Sequence, residues 1–251
     1  MRIIDFHNHL GRHAEFRADG EINRFLKIMD ASGIDQACIN CVYHYSGDHR
    51  EGNNFVAEIV KKYPDRFIGV AYVSPLYPEE VIDELNRAFD VLNLKYLKIY
   101  PNYLQKPVND PSYFPIFEWG NARGIVIMCH ASYIFDEPPY TRPKLFIELA
   151  NRFNNIKWVL AHAGNMKQGQ IEAVSAAQQC NNIFLETASS WGEHGTIEYL
   201  VSEAGEDKVL YGSDMPLLDA RNQIGRIITA NISKSAKQKI LGENTAKLLN
   251  L

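Results

Sequence analysis

Short apolar runs alternate with amphipathic stretches along all 251 residues. The runs are RIIDF (2–6), DQACINCV (35–42), FIGVAYV (67–73), KYLKIY (95–100), GIVIMCH (124–130), KWVLAHA (157–163), NIFLETA (182–188) and KVLYGSD (208–214). Between them, apolar residues recur at three- and four-residue spacing, as in INRFLKIMDASG, NNFVAEIVKKYP and PKLFIELANRF. That spacing predicts amphipathic helices, several of which stop at Gly, Asn or Pro. Strict strand–helix alternation predicts a parallel sheet with right-handed crossovers. Eight such repeats in this length fit a closed (β/α)8 TIM barrel, slightly distorted. An open doubly wound sheet is the alternative, but no G-x-G-x-x-G follows the first run. Ser233 is placed to cap an extra C-terminal helix that ends in ENTAKLLNL. No linker interrupts the pattern, so residues 1–251 read as a single domain.

The connections add a direction. Helix-to-strand links such as SGID, YPDR and ARG are short. Strand-to-helix links such as HLGRHAEFRADGE, YHYSGDHREG and ASYIFDEPPYTRP are longer, polar and aromatic. Barrel enzymes elaborate that face, where strands end and helices begin.

Apolar strands make their exceptions informative, because a buried parallel strand should carry no polar group. The exceptions are His7 and His9, Lys98, His130, His162, Glu186 and Asp214. His7 and His9 are two apart and share one strand face. If Ile4 and Phe6 face the helices, both imidazoles face the barrel mouth. Neutral imidazole is a common metal ligand. His7, His9, His130 and Asp214 together offer a divalent cation a nitrogen-rich set with an open position. Zn2+ suits it best, with Mn2+ or Fe2+ as alternatives and one ion expected per chain. The competing reading of Asp214 is a helix N-cap; that of His162 is a core histidine bonded to backbone. Asp5 either orients an imidazole or is a buried acid with backbone partners. The remaining histidines, His13, His44, His49 and His194, fall in loops.

Composition removes some partners. The net charge of −4 and the lack of a basic run argue against nucleic acid or an acidic membrane. No run approaches the roughly 20 apolar residues of a membrane helix, and RIID after Met1 is too short for a signal peptide. A cytoplasmic location is expected. Cys38 and Cys41 form C-x-x-C within a strand, where their side chains oppose each other, so a redox pair is not expected. Exposed aromatic loops (YHY, PPY) leave room for a homodimer.

In order along the chain, DFHNH, CHAS, LAHAG and YGSDMP resemble the motifs of the metal-dependent amidohydrolase superfamily, in its amidohydrolase-related branch. LKIYP, RPKLFIELANRFNNIKWVLAHAG and ILGENTAKLL extend the likeness over almost the whole chain. The resemblance implies a distorted TIM barrel with metal ligation by His7, His9, His130 and Asp214. It also implies that His162 acts beside the metal as acid/base or electrophile. In binuclear members that histidine binds a second ion, bridged by a carboxylated lysine, for which Lys98 is the match.

The leading expectation is a hydrolase acting on a C–N or C–O bond of a small, anionic substrate. Metal-bound water attacks, Asp214 accepts its proton, and His162 stabilises the oxyanion or protonates the leaving group. The alternative, on the same residues, is a decarboxylase or hydratase of an aromatic or unsaturated acid. Arg50, Tyr100 and Arg142, with His49 and Trp191, lie on strand-to-helix loops and are candidate substrate contacts; an arginine there suits a carboxylate.

Overall fold

The computed structural model describes residues 1–13, 18–41, 48–134 and 138–251. The YHY loop and His44 lie outside the described residues, as does the side chain of His13. The strands are β1 (Ile4–His13), β2 (Ala18–Gly20), β3 (Gln36–Cys41), β4 (Phe67–Tyr72), β5 (Tyr96–Ile99), β6 (Val126–Tyr133), β7 (Lys157–Asn165), β8 (Ile183–Glu186) and β9 (Val209–Leu210). All are parallel in chain order except β2, which pairs antiparallel with the end of β1. The expected eight strands are therefore present, and β2 is an addition. The ring closes between first and last strands: Phe6 N–H donates to Tyr211 O at 2.9 Å and Asp214 N–H to His7 O at 2.8 Å. The architecture is the TIM barrel expected from the alternation.

Helices α1 (Ile22–Ser32), α2 (His49–Lys62), α3 (Val81–Asn86), α4 (Pro101–Leu104), α5 (Phe114–Arg123), α6 (Leu145–Arg152), α7 (Lys167–Gln179), α8 (Thr196–Ala204) and α9 (Ala220–Thr229) intervene. The predicted stops hold: Gly33 and Gly124 end α1 and α5 at φ 69° and 64°, a conformation that glycine adopts without a Cβ penalty. Asp48 caps α2 and Asp219 caps α9. Asp214 therefore does not serve as the side-chain cap of that helix.

Strand residues alternate between two cores. Ile127, Cys129, Trp158 and Leu160 face the helices, while Val126, Met128, Val159 and Ala161 fill the barrel. Cys38 lies inside and Cys41 outside, and both are buried. At the chain's end, Ser233 Oγ accepts from Ala236 N–H at the start of α10 (Lys234–Gln238). The chain runs on through a π turn into α11 (Asn244–Leu249). Leu249 joins the barrel-interior cluster, so the last helix plugs the end opposite the strands' C-termini.

Strand β1 corrects one expectation. Ile4 and Phe6 do not face the helices; they fill the barrel interior, where Phe6 stacks on Tyr96 with ring centroids 4.6 Å apart. Regular alternation would then turn both histidines outward. A bulge prevents this: Asp5 pairs with Ala37 and Asn8 with Ile39, so Phe6 and His7 together oppose Cys38. The extra residue restores the inward direction for His7 and His9, as bulges near active sites commonly do.

Candidate metal and active site

The polar strand ends meet in a cavity of about 630 Å³ at the C-terminal mouth of the barrel. His7, His9, Lys98, His130, His162 and Asp214 line its floor. Tyr100, Tyr103, Ile134, Leu217 and Leu218 supply apolar wall, and Asn102, Asn165 and Ser190 supply neutral polar groups. Tyr100 follows β5, is buried, and packs on Tyr72 and Tyr103 with centroids 5.7 Å away in each case.

Three of the four expected ligands converge. His9 Nε2 lies 2.7 Å, and His7 Nε2 3.4 Å, from Asp214 Oδ1. Ligand atoms of this trio lie within 4.8 Å of one another, and so do those of His7, His162 and Glu186. His130 lines the same cavity but belongs to neither group. Its ring packs edge-on to His162 at 4.6 Å, and its Nε2 lies 3.0 Å from Ser132 Oγ.

Each ligand-type imidazole has an acceptor behind it. His7 Nδ1 lies 2.9 Å from Glu186 Oε2, and His9 Nδ1 2.8 Å from Asn40 Oδ1. Tyr100 OH lies 3.2 Å from His9 Nδ1 and accepts a hydrogen bond from Asn40 Nδ2. Metal-binding histidines have such partners, which fix the tautomer and the ring's direction. The donor set therefore fits a divalent ion: two nitrogens and a carboxylate oxygen at one point, with oriented rings behind them.

Electrostatics follow from burial. Desolvation, reinforced by Lys98, holds His7 well below the usual imidazole value and so keeps it neutral. Burial does the same to His130 and His162. Asp214 is the exception. Burial pushes its carboxyl up, but the hydrogen bond from His9, with His162 and Lys98 nearby, brings it below the ordinary carboxylate value. Burial pulls the Lys98 ammonium down to about 8, against the attraction of Asp214. Burial lifts Glu186 to about 8, opposed by N–H groups of Ala188 and His162. Asp5 is a buried acid with backbone partners: its Oδ1 accepts from Ser213 N–H at 2.9 Å and His7 N–H at 3.2 Å.

Three cavity-lining residues sit on strained backbone: His162 has φ 67°, Asn165 φ 61° and Asp214 φ 60°. For residues other than glycine this conformation costs about 1–3 kcal/mol and recurs where a side chain must be aimed.

The two candidate arginines pair with carboxylates on neighbouring elements. Arg50 begins α2 with its Nη1 3.4 Å from buried Glu84. Arg142 pairs with Glu172 and lies over the Tyr133 ring at 4.4 Å. Neither is among the described residues that line the cavity; Lys98 is the ammonium that does. His49 packs against Tyr77 and Glu80, and Trp191 is part-exposed. Asn40 was not foreseen, although it breaks the apolar run QACINCV by the same rule that exposed the histidines. Tyr103, Leu217 and Leu218 were not foreseen either, because nothing local marks an apolar wall.

Comparisons with known proteins bear on this geometry. The profile of the amidohydrolase family (Amidohydro_2) matches residues 4–251, so the chain belongs to that family. A 2-amino-3-carboxymuconate-6-semialdehyde decarboxylase of Dictyostelium discoideum is 25% identical over 236 residues, covering 79% of this chain. The match spans 65% of that relative's length. The 5-carboxyvanillate decarboxylase of Sphingomonas paucimobilis superposes with a TM-score of 0.80 at 18% identity, covering 100% of this chain and 99% of its own. The 5-carboxyvanillate decarboxylase of Novosphingobium aromaticivorans, complexed with manganese and 4-hydroxy-3-methoxy-5-nitrobenzoic acid, gives 0.79 at 16% identity, with 100% and 96% coverage. The expectation that placed hydrolysis first is corrected here. These relatives are decarboxylases, which favours the stated alternative over hydrolysis. No helix among the described residues is long and apolar enough to cross a membrane.

Proposed function

We propose that residues 1–251 form one barrel domain that acts as a metal-dependent decarboxylase of a small aromatic or conjugated carboxylic acid. The observation that carries this reading is the convergence of His7, His9 and Asp214 beneath a tyrosine- and leucine-walled cavity. His130, which lines the same cavity, would complete the ligand set. Manganese is the ion of choice over zinc, on the strength of the manganese complex among the related folds. When bound, the ion supplies a Lewis acid that anchors the acid's oxygens and withdraws charge from them.

The chain's own residues do the rest. Tyr100, Tyr103, Leu217 and Leu218 flank a planar carbon skeleton and exclude water from it. Decarboxylation breaks the bond between the carboxylate and its carbon. Carbon dioxide leaves, the electron pair stays on that carbon, and a proton takes the vacated position. His162 relays that proton: its Nδ1–H is tied to Ala188 O at 2.9 Å, so its free Nε2 first takes a proton from solvent and then passes it to the vacated carbon. Asp214, held as a carboxylate, is the second proton-handling group. Lys98 faces the same floor and complements the substrate's negative charge.

A panel of aromatic and unsaturated acids, run beside the corresponding esters and lactones with manganese-loaded protein, tests the reading. Loss of the carboxyl group from at least one acid, with esters and lactones intact, is expected. Turnover of lactones alone would overturn it.

A further inference from the structure

We propose that Glu186 is a positioning residue that sets His7 and His162 at once. The inference rests on the reading of His7 as a ligand and His162 as the proton carrier, and adds the element that holds both. Glu186 ends β8 and is fully buried.

The hydrogen-bond directions follow from chemistry. A lysine ammonium can only donate. Lys98 Nζ lies 2.9 Å from His7 Nε2, so that nitrogen is the acceptor. The proton of a neutral His7 therefore sits on Nδ1, which donates to Glu186 Oε2 at 2.9 Å. The same oxygen accepts His162 N–H at 3.2 Å, from a residue at φ 67°. Glu186 Oε1 accepts Ala188 N–H, and Ala188 O lies 2.9 Å from His162 Nδ1.

One turn, Glu186 to Ala188, thus holds the ring of His7, the main chain of His162 and the ring of His162. Both imidazoles are left with Nε2 toward the cavity, their centroids 5.2 Å apart. The two oxygens of Glu186 accept three N–H bonds, which separates it from the ligands despite its place within 4.8 Å of His7 and His162. Gly212 leaves the room for it: a Cβ there would stand 2.2 Å from Glu186 Oε1 and 2.8 Å from His7 Cβ.

The first test needs no variant. Long-range 1H–15N spectra of the metal-free protein, labelled at histidine, read each ring's tautomer. His7 with its proton on Nδ1 is expected; a proton on Nε2 would overturn the proposal. The second test is manganese titration of the wild type, Glu186→Gln and His7→Ala. An amide in place of the carboxylate accepts through one oxygen and opposes one former donor with an NH2. Manganese affinity of Glu186→Gln is expected to fall about 10- to 100-fold, with the His162 ring resonances displaced as well. Wild-type affinity and unmoved His162 resonances in a folded Glu186→Gln would defeat the positioning role. A wild type without manganese affinity, or His7→Ala with full affinity, would instead defeat the metal reading, and the tautomer spectra would then judge Glu186 alone.

Discussion

His9 Nε2 lies 2.7 Å from Asp214 Oδ1, although 205 residues separate them in sequence. Barrel closure brings them together, since the segment after β9 bonds to β1 through His9 N–H and Met215 O at 2.7 Å. Asp214→Asn keeps the size and tolerates the positive φ, so the fold should survive. Manganese affinity should fall by at least the ~10- to 100-fold typical of losing an outer-sphere partner. Calorimetric titration measures this, and unchanged affinity would remove Asp214 from the ligand set.

The strained backbone at His162 separates aim from chemistry. His162→Asn should fold with a melting temperature near the wild type, because asparagine accepts positive φ. His162→Val should lose about 1–2 kcal/mol more, because its branched side chain does not. Both should lose about 10²- to 10⁴-fold in turnover if His162 moves the proton. Thermal melts beside initial rates distinguish the two effects.

Gly212 has no freedom to grow. Gly212→Ala would drive a Cβ into Glu186 Oε1 and toward His7 Cβ. The expected penalty is about 1–3 kcal/mol of stability, together with weaker manganese binding, although no ligand is altered. Wild-type stability and affinity in this variant would show that the carboxylate can move aside.

Asp5 supplies a pH dependence. Burial pushes its carboxyl from 3.8 to about 7. Between those values the folded chain keeps the proton and the unfolded chain releases it. Stability therefore falls as pH rises through this window, by a few kcal/mol in all at roughly 1.4 per pH decade. Asp5→Asn keeps an oxygen for the N–H groups of His7 and Ser213 and removes the titration. Relative to wild type, the variant should gain a few kcal/mol between about pH 4 and pH 8 in denaturant melts. A constant difference across that range would contradict the buried-acid account.

Much of the architecture was legible in the order of apolar runs, because period and chain direction alone specify a parallel barrel. The floor of the site was legible for the same reason: His7, His9, His130, His162 and Asp214 are polar where buried strands should not be. Strict alternation misplaces Ile4 and Phe6, because the bulge that turns His7 and His9 inward leaves no local mark in RIIDFHNH. Arg50 and Arg142 are not among the described residues that line the cavity, and a loop position does not tell where a long side chain ends. Both found carboxylates on neighbouring elements instead. The choice between hydrolysis and decarboxylation was not legible at all, because one metal and the same proton-handling residues serve both.

The most direct test of the whole account is release of labelled carbon dioxide from carboxyl-13C aromatic and conjugated acids, before and after removal of metal by chelation. Release that stops on chelation, returns with manganese and is absent from His7→Ala is the expected result. Release that persists in the stripped protein, or in His7→Ala, would contradict a decarboxylase built on His7, His9 and Asp214.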